Sequence, residues 1–303
     1  MIDFQPLELS RKAEYDRLLA LGARQGCEYT FANLYMWGRQ RGAILDGYLA
    51  LFSQFSRRTI YPHPVGRGDV KPVLDAIIAD SRERGVACRI TGMTREDCLT
   101  LEALFPGKFR IHCDRNGFDY VYSIQALAEL KGKKLQKKRN HLHRFQAAHP
   151  DCTAVPICGE NTPAIQRMLD TWYAKRLEQE PHGDFHMERA AIGRALAHRE
   201  ALGMEGLTLV DKGEILAVTL GSPLSQDTFD IHFEKALAEA DGAYTAMNRA
   251  FAQYLLDRHP QLRYLNREDD LGIAGLRQAK LSYYPEFLVE KYWACLLEDG
   301  CDY

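Results

Sequence analysis

EGLTLVDKGEILAVTLGSPLSQDTFDIHFEKA, residues 205–236, contains three apolar, β-branched runs separated by two turn signals. Asp211-Lys212-Gly213 supplies the first turn and a looser loop at Ser222 to Gln226 the second, so the stretch predicts three successive strands. A helical pattern of about five turns comes next, from Tyr244 to Arg258, and its stripe of Tyr244, Met247, Phe251 and Leu255 also includes the polar Asn248. LRYLN (262–266) reads as a strand, residues 273–281 as a helix, and EFLVEKYWACLL (286–297) as a last strand. Helical patterns near 162–178 and 187–202 precede the strands.

The first half has the same grammar. Helical patterns cover 10–21 and 28–40, the second with Tyr29, Asn33, Met36 and Trp37 at three-to-four spacing. AILDGYLALFSQF (43–55) predicts a hairpin turning near Asp46-Gly47, VKPVLDAIIADSRERG a helix, VACRITGM a strand, and 95–104 another helix. KFRIHCDRNGFDYVYSI (108–124) predicts two strands joined around Asn116-Gly117, a strong turn dipeptide. Alternating helices and strands make the chain α/β or α+β, and the similar element order of the halves points to a duplicated architecture with diverged sequence.

At roughly 100 to 200 residues per domain, a chain of 303 residues holds two domains. With 46% hydrophobic and 26% charged residues the composition is that of an ordinary globular protein, and a net charge of −2 gives no global attraction to nucleic acid or anionic lipid. The eight cysteines (Cys27, Cys88, Cys98, Cys113, Cys152, Cys158, Cys295 and Cys301) never fall in C-x-x-C spacing, which argues against a zinc site built from such pairs. No apolar signal core or membrane-spanning run is found, so the expected setting is reducing and cytoplasmic. His182 and His186 are four apart, but Gly183 interrupts any helix between them, and no metal site is expected.

One local charge feature stands out. Between Lys131 and Arg144 lie seven Lys or Arg, two His and no acid. Leu135, Leu142 and Phe145 give this segment a thin apolar stripe, so it predicts a helix docked along one line. Like charges at i and i+4, Lys133 with Lys137 and Lys134 with Lys138, repel, and a polyanion would relieve that repulsion. Lys133, Lys134, Lys137, Lys138 and Arg139 are the polyanion-binding candidates, and tRNA the candidate partner.

The chemistry concentrates near the C-terminus. On a helical wheel Ile273, Leu276, Arg277, Lys280 and Leu281 share one arc, while Ala274, Gly275, Gln278 and Ala279 form a small face suited to close approach. Cations on an apolar arc need partners, either nearby carboxylates or an anionic guest. In the second case Lys280 stabilises a developing oxyanion, Arg277 holds a phosphate or carboxylate, Asp270 caps the helix and Glu268 orients a cation. Glu234, Glu268, Asp270 and Tyr283 are all candidates for the base. Lys235, Gly242, Tyr244 and Asn248 flank a strand–loop–helix start that could cradle an anion; Asn266, Arg267, Gly272 and Gly275 complete the substrate-binding candidates.

CEYTFANLYMW (27–37), FDYVYSIQALAELKGKKLQKKRNHLHRF (118–145), HFEKA (232–236) and NREDDLGIAGLRQAKLSYYP (266–285) together resemble the phosphatidylglycerol lysyltransferase C-terminal domain family. Gly275, Leu276, Arg277, Lys280 and Pro285 match its Gly-Leu-Arg, Lys and Pro pattern, and Tyr283 falls where an aromatic is usual. The resemblance implies two GNAT-like acyltransferase domains in tandem joined by a basic helix, with boundaries at 1–128, 129–150 and 151–303. It also implies transfer of an aminoacyl group from charged tRNA to an amine or hydroxyl, on a small molecule or a lipid headgroup. The membrane-spanning helices that precede this domain in the lipid-modifying members have no counterpart here. The Gln/Arg-x-x-Gly-x-Gly/Ala loop by which ordinary GNAT enzymes hold coenzyme A is also replaced, after Lys235, by Ala-Leu-Ala-Glu-Ala-Asp-Gly-Ala. Two alternatives stay open: an acetyl- or acyl-CoA-dependent N-acyltransferase, and a non-catalytic polyanion-binding module.

Overall fold

The computed structural model describes residues 1–22, 24–55 and 58–300. It divides into two compact units: Met1–Asp119 with Asp269–Ile273 and the segment from Leu288 onward, and Tyr120–Glu268 with Ala274–Phe287. Cys301 lies outside the described residues. Among the described residues no helix is long and apolar enough to cross a membrane.

The first unit is built on β1 (Gln5–Pro6), β2 (Gln40–Leu45), β3 (Tyr48–Phe55), β4 (Arg58–Pro62), β5 (Val65–Gly66), β6 (Arg89–Met93), β7 (Phe109–Cys113) and β15 (Tyr292–Leu296). Their order is β1-β2-β3-β4-β6-β15-β7, with β5 against β3. Helices α1 (Lys12–Leu21), α2 (Phe31–Trp37), α3 (Lys71–Arg84) and α4 (Arg95–Leu104) accompany them. The hairpin of β2 and β3 turns where expected, because Asp46 and Gly47 both accept left-handed backbone (φ 48° and 79°). Pro72 opens α3 and Gly85 (φ 66°) closes it, after which the chain returns as β6, parallel to β4. Ile77, Ile90, Leu101 and Ala294 are sealed in its core.

Lys291 marks where the C-terminal strand differs from expectation. EFLVEKYWACLL is two strands, β14 (Phe287–Val289) and β15, in different sheets, and β15 runs antiparallel to both β6 and β7. The break falls at Glu290-Lys291, where the Lys291 ammonium is buried 2.7 Å from Asp119 and 2.8 Å from Glu28, beside the Cys27 sulfur at 3.4 Å. Burial alone would lower its pKa, but Asp119, Cys27 and Glu28 hold it well above the ordinary lysine value. Cys27, Glu28 and Asp119 place three ligand-type atoms within 4.8 Å of one another, and this ammonium already lies among them. Because β15 belongs to the first unit and Tyr120–Glu129 to the second, the units do not follow the contiguous 1–128, 129–150 and 151–303 segments. Residues 108–124 likewise form no hairpin: β7 pairs with β15, whereas β8 (Asp119–Ser123) belongs to the second sheet.

The second sheet has the order β14-β8-β13-β12-β11-β10-β9, from β9 (Thr153–Pro156), β10 (Glu205–Asp211), β11 (Glu214–Pro223), β12 (Thr228–Ala236) and β13 (Tyr264–Asn266). β9 to β12 run antiparallel, and α10 (Ala243–Arg258) carries the chain from β12 to its parallel neighbour β13. Helices α5 (Ile124–Glu129) and α6 (Gln136–Ala148) pack on α10, and α7 (Thr162–Gln179) on β11 and β12. α8 (His186–Ala197), α9 (Arg199–Leu202) and α11 (Ala274–Leu281) complete the unit.

The basic segment is helical only from Gln136, so Lys133 and Lys134 precede the helix and are not i,i+4 helical partners of Lys137 and Lys138. Its apolar stripe is as expected, with Leu135, Leu142 and Phe145 buried. Gly242, at the start of α10, has φ 85°, and a Cβ there would run into the His141 carbonyl oxygen of α6. At this helix start, where the sequence suggests an anion cradle, α6 backbone therefore closes on Gly242, while Asp241 and Tyr244 stay exposed. Gly242→Ala adds left-handed strain of about 1–2 kcal/mol to that clash, so urea unfolding should show a loss of about 2 kcal/mol or more, with α6 displaced from α10.

Candidate functional site

Thr228, Asp230, His232 and Glu234 stand at every second position of a strand that is buried almost throughout. In a regular strand all four would share one face. The ladder with β11 is not regular: Leu220 lies opposite Phe233, but Gly221 lies opposite Ile231. His232 is therefore an extra residue, a β-bulge, which turns the pleat over and re-aims the side chains beyond it. Phe229 faces α10, its ring 5.8 Å from Phe251, and past the bulge Glu234 reaches Arg267, which continues β13.

Arg267 Nη2 donates to Glu234 Oε1 at 2.9 Å, with both side chains largely removed from water. The pairing is incomplete: Arg267 Nη1 and Glu234 Oε2 are buried without a hydrogen-bond partner among the described residues. The guanidinium carbon lies 5.1 Å from the Tyr283 ring centroid, and the Tyr283 hydroxyl is 3.1 Å from Thr245 Oγ1 on α10. One turn along α10 from Thr245, Asn248 is fully buried with both amide atoms unpartnered among the described residues. Lys138 completes the group from α6, its Nζ 3.7 Å from the Tyr283 ring centroid. Burial, then repulsion by Arg267, opposed by Glu234, lowers its pKa to about 8. Buried polar atoms are nearly always hydrogen-bonded, so one amide, one guanidinium edge and one carboxylate oxygen left without a partner among the described residues stand out.

On the other side of the bulge His232 Nε2 faces Ser222 Oγ at 2.8 Å, while Nδ1 faces Glu268 at 3.1 Å and Asp230 at 3.4 Å. A proton on Nδ1 lets it donate to Glu268 and leaves Nε2 to accept from Ser222. The order of groups is that of a nucleophile, a base and its orienting acid. Ser222 Oγ and both ring nitrogens of His232 have partners, so this relay fixes the bulge.

The remaining singled-out residues fall elsewhere. Lys280 donates to the carbonyl oxygens of Arg267 (2.5 Å) and Glu268 (3.0 Å), satisfying backbone where β13 has ended and Glu268 takes φ 55°. It thus supports Arg267 from behind. Arg277 is half-buried, whereas Ile273, Leu276 and Leu281 are exposed, so α11 turns its cations inward and its leucines outward. Ala274, Gly275, Gln278 and Ala279 are exposed, and nothing lies within 4 Å of a Cβ at Gly275; the small face approaches no element among the described residues. Asp270 does not cap α11, which starts four residues later; its carboxylate accepts from the Gly272 N–H and lies 3.6 Å from Arg115. Gly272 has φ 74° and packs beside Asn116 in that turn. Asn266 Oδ1 accepts from the Glu268 N–H. Lys235 pairs with Glu188 at 2.8 Å over the Trp172 ring, and Tyr244 is largely exposed. Of the basic candidates, Lys133, Lys134 and Lys137 face solvent, while Arg139 holds the carbonyls of Leu130 and Gly132.

Comparison with known proteins shows the family and the fold. The family described as phosphatidylglycerol lysyltransferase, C-terminal, matches residues 19–295. A conserved protein of Bacteroides thetaiotaomicron has the same fold at 36% identity, over 98% of this chain and 100% of that one, with a TM-score of 0.92. L-PGS from Bacillus licheniformis superposes at a TM-score of 0.69 and 16% identity, over 100% of this chain and 95% of that one. An uncharacterized protein of Mycoplasmoides gallisepticum is 26% identical over 57% of this chain, and the match spans about half of that relative, 54%.

Two outcomes are expected from the site's electrostatics. Removing one partner of a buried ion pair strands the other, so Arg267→Met should lower stability by about 3–5 kcal/mol in urea, and the double change with Glu234→Met should recover most of it. Lys138 gives up its proton near pH 8 when folded against 10.5 for an ordinary lysine. Below pH 8 the folded state bears the full penalty of a charged, half-buried amine; as pH rises from 8 towards 10.5 the unfolded state holds more protons and stability rises. Lys138→Met should therefore raise the melting temperature at pH 7, and its advantage should shrink as the pH approaches 10.

Proposed function

The chain belongs to the phosphatidylglycerol lysyltransferase C-terminal family, and on that basis we propose that it moves an aminoacyl group from charged tRNA to an amine or hydroxyl acceptor. Its fold is α/β, with two GNAT-like units in tandem, the aminoacyl-transferase-like scaffold. The observation that carries the reading is the open hydrogen-bonding set of Asn248, Arg267 and Glu234 beside a lysine whose pKa is near neutrality.

An aminoacyl ester is already activated, so a site needs mainly to position it, remove a proton from the acceptor and hold the oxyanion. Lys138 in its neutral form takes the proton from the attacking amine or hydroxyl as the new bond to the ester carbonyl carbon forms. Asn248 Nδ2 and Arg267 Nη1 supply the donors that face the tetrahedral oxygen, and Glu234 Oε2 accepts from the α-ammonium of the aminoacyl group. When the intermediate collapses, the bond to the ribose oxygen breaks and Lys138 returns its proton to that oxygen. Lys280 is a positioning residue here, acting through the backbone of Arg267. Lys133, Lys134 and Lys137, exposed in and before α6, give the tRNA phosphates a non-specific, salt-sensitive hold. The replacement of the coenzyme A loop after Lys235 by Ala-Leu-Ala-Glu-Ala-Asp-Gly-Ala weighs against coenzyme A as the donor.

The test is filter binding and label transfer with a tRNA pool charged with labelled amino acids, beside deacylated tRNA and acetyl-CoA. The triple change Lys133→Ala, Lys134→Ala, Lys137→Ala should weaken tRNA binding and flatten its salt dependence by about two to three units of log K per log salt. Asn248→Ala and Lys138→Met should keep tRNA binding and lose at least about a hundredfold in transfer rate. Saturable acetyl-CoA binding without a tRNA response would replace this reading with a coenzyme A enzyme. Polyanion binding with no transfer would leave a binding module.

A further inference from the structure

Arg41 sits on the wrong face of its strand for a surface arginine. It lies opposite Phe52 on β3, and alternation puts both on the face of Ala43 and Ala50, which point into the first unit's core. Continuing that ladder brings Arg39 and Gln54 to the same end of the hairpin. Arg84, from the last turn of α3, arrives with its guanidinium carbon 4.7 Å from the Phe52 ring centroid and 5.8 Å from that of Phe4. The two rings stack at 5.3 Å. Together Phe4, Arg39, Arg41, Phe52, Gln54 and Arg84 line a cleft of about 460 Å³, within the size range of small-molecule sites.

The charge of this cleft is one-sided. Among the described residues no Asp or Glu lines it. Arg84 is half-compensated, since its Nε donates to the buried Asp80 and its Nη2 to the Ile2 carbonyl. Those bonds fix the guanidinium flat against the aromatic pair, a pre-organised wall. Arg41 enters no ion pair among the described residues. Guanidinium forks match the oxygens of a phosphate, and Arg39 and Arg41 bring two of them to the rim.

We propose that this cleft is a binding site for a small phosphate monoester, its dianionic group held by Arg39 and Arg41 and its organic part resting on the Phe4–Phe52–Arg84 wall. The site lies within the first unit and uses none of the residues assigned to transfer. Calorimetric titration of the full chain tests it, with glycerol 3-phosphate, inorganic phosphate, succinate and a short single-stranded oligonucleotide as probes. Glycerol 3-phosphate should bind saturably and more tightly than inorganic phosphate or succinate. Arg41→Gln and Arg39→Gln should each weaken it by about tenfold without changing the melting temperature, one charge-assisted contact each. Lys138→Met should leave it untouched. The proposal is overturned if no probe saturates, if both arginine variants bind as the natural protein does, or if succinate or the oligonucleotide binds as well as the monoester.

Discussion

A buried arginine and glutamate that satisfy only half of each other set the terms for the second unit. Arg267 and Glu234 are too deep to be solvated by water alone and too close to ignore each other, yet each keeps one polar atom open. Such a pair is a poor source of stability, since desolvation offsets much of its attraction. It is a good source of chemistry, because the open atoms recover their hydrogen bonds only when a guest of complementary polarity arrives. Tyr283, itself fixed by Thr245, packs against it, and Lys280 anchors the backbone from which Arg267 projects.

This assigns the cations near the C-terminus differently from a reading in which Lys280 itself meets the substrate. Two of the three donors of the Lys280 ammonium go to carbonyl oxygens, which ties it to the strand end it supports. In the proposed transfer the reacting lysine is Lys138, on the helix otherwise marked by its solvent-facing charge. Within one basic segment two roles separate: exposed residues at and before the helix start, and one residue folded under it against an aromatic ring.

Much of the fold was legible because the local signals agreed. The turn at Asp46-Gly47, the meander of residues 205–236 and the stripe through Leu142 and Phe145 all appear where periodicity and turn chemistry put them. Strand partners were not legible. Nothing local in residues 286–297 says that the run breaks at Lys291 into strands of two sheets, because the cause is a buried carboxylate at Asp119, far away in sequence. Of the site, the alternation of Thr228, Asp230, His232 and Glu234 was a visible polar stripe in a strand flanked by Phe229, Ile231 and Phe233. Its meaning was hidden, since the extra residue at His232 is a property of the pairing with β11 and leaves no mark on either strand alone.

That extra residue gives the second unit an unusual vulnerability. Which carboxylate faces Arg267 is decided by the bulge itself, since the same residues in an unbroken pleat would put Glu234 on the face of Asp230, away from its arginine. Point changes around His232 alter packing, whereas a change on β11 that irons out the mismatch would dismantle the ion pair without touching either partner. The chemistry of one strand thus depends on the spacing kept by its neighbour.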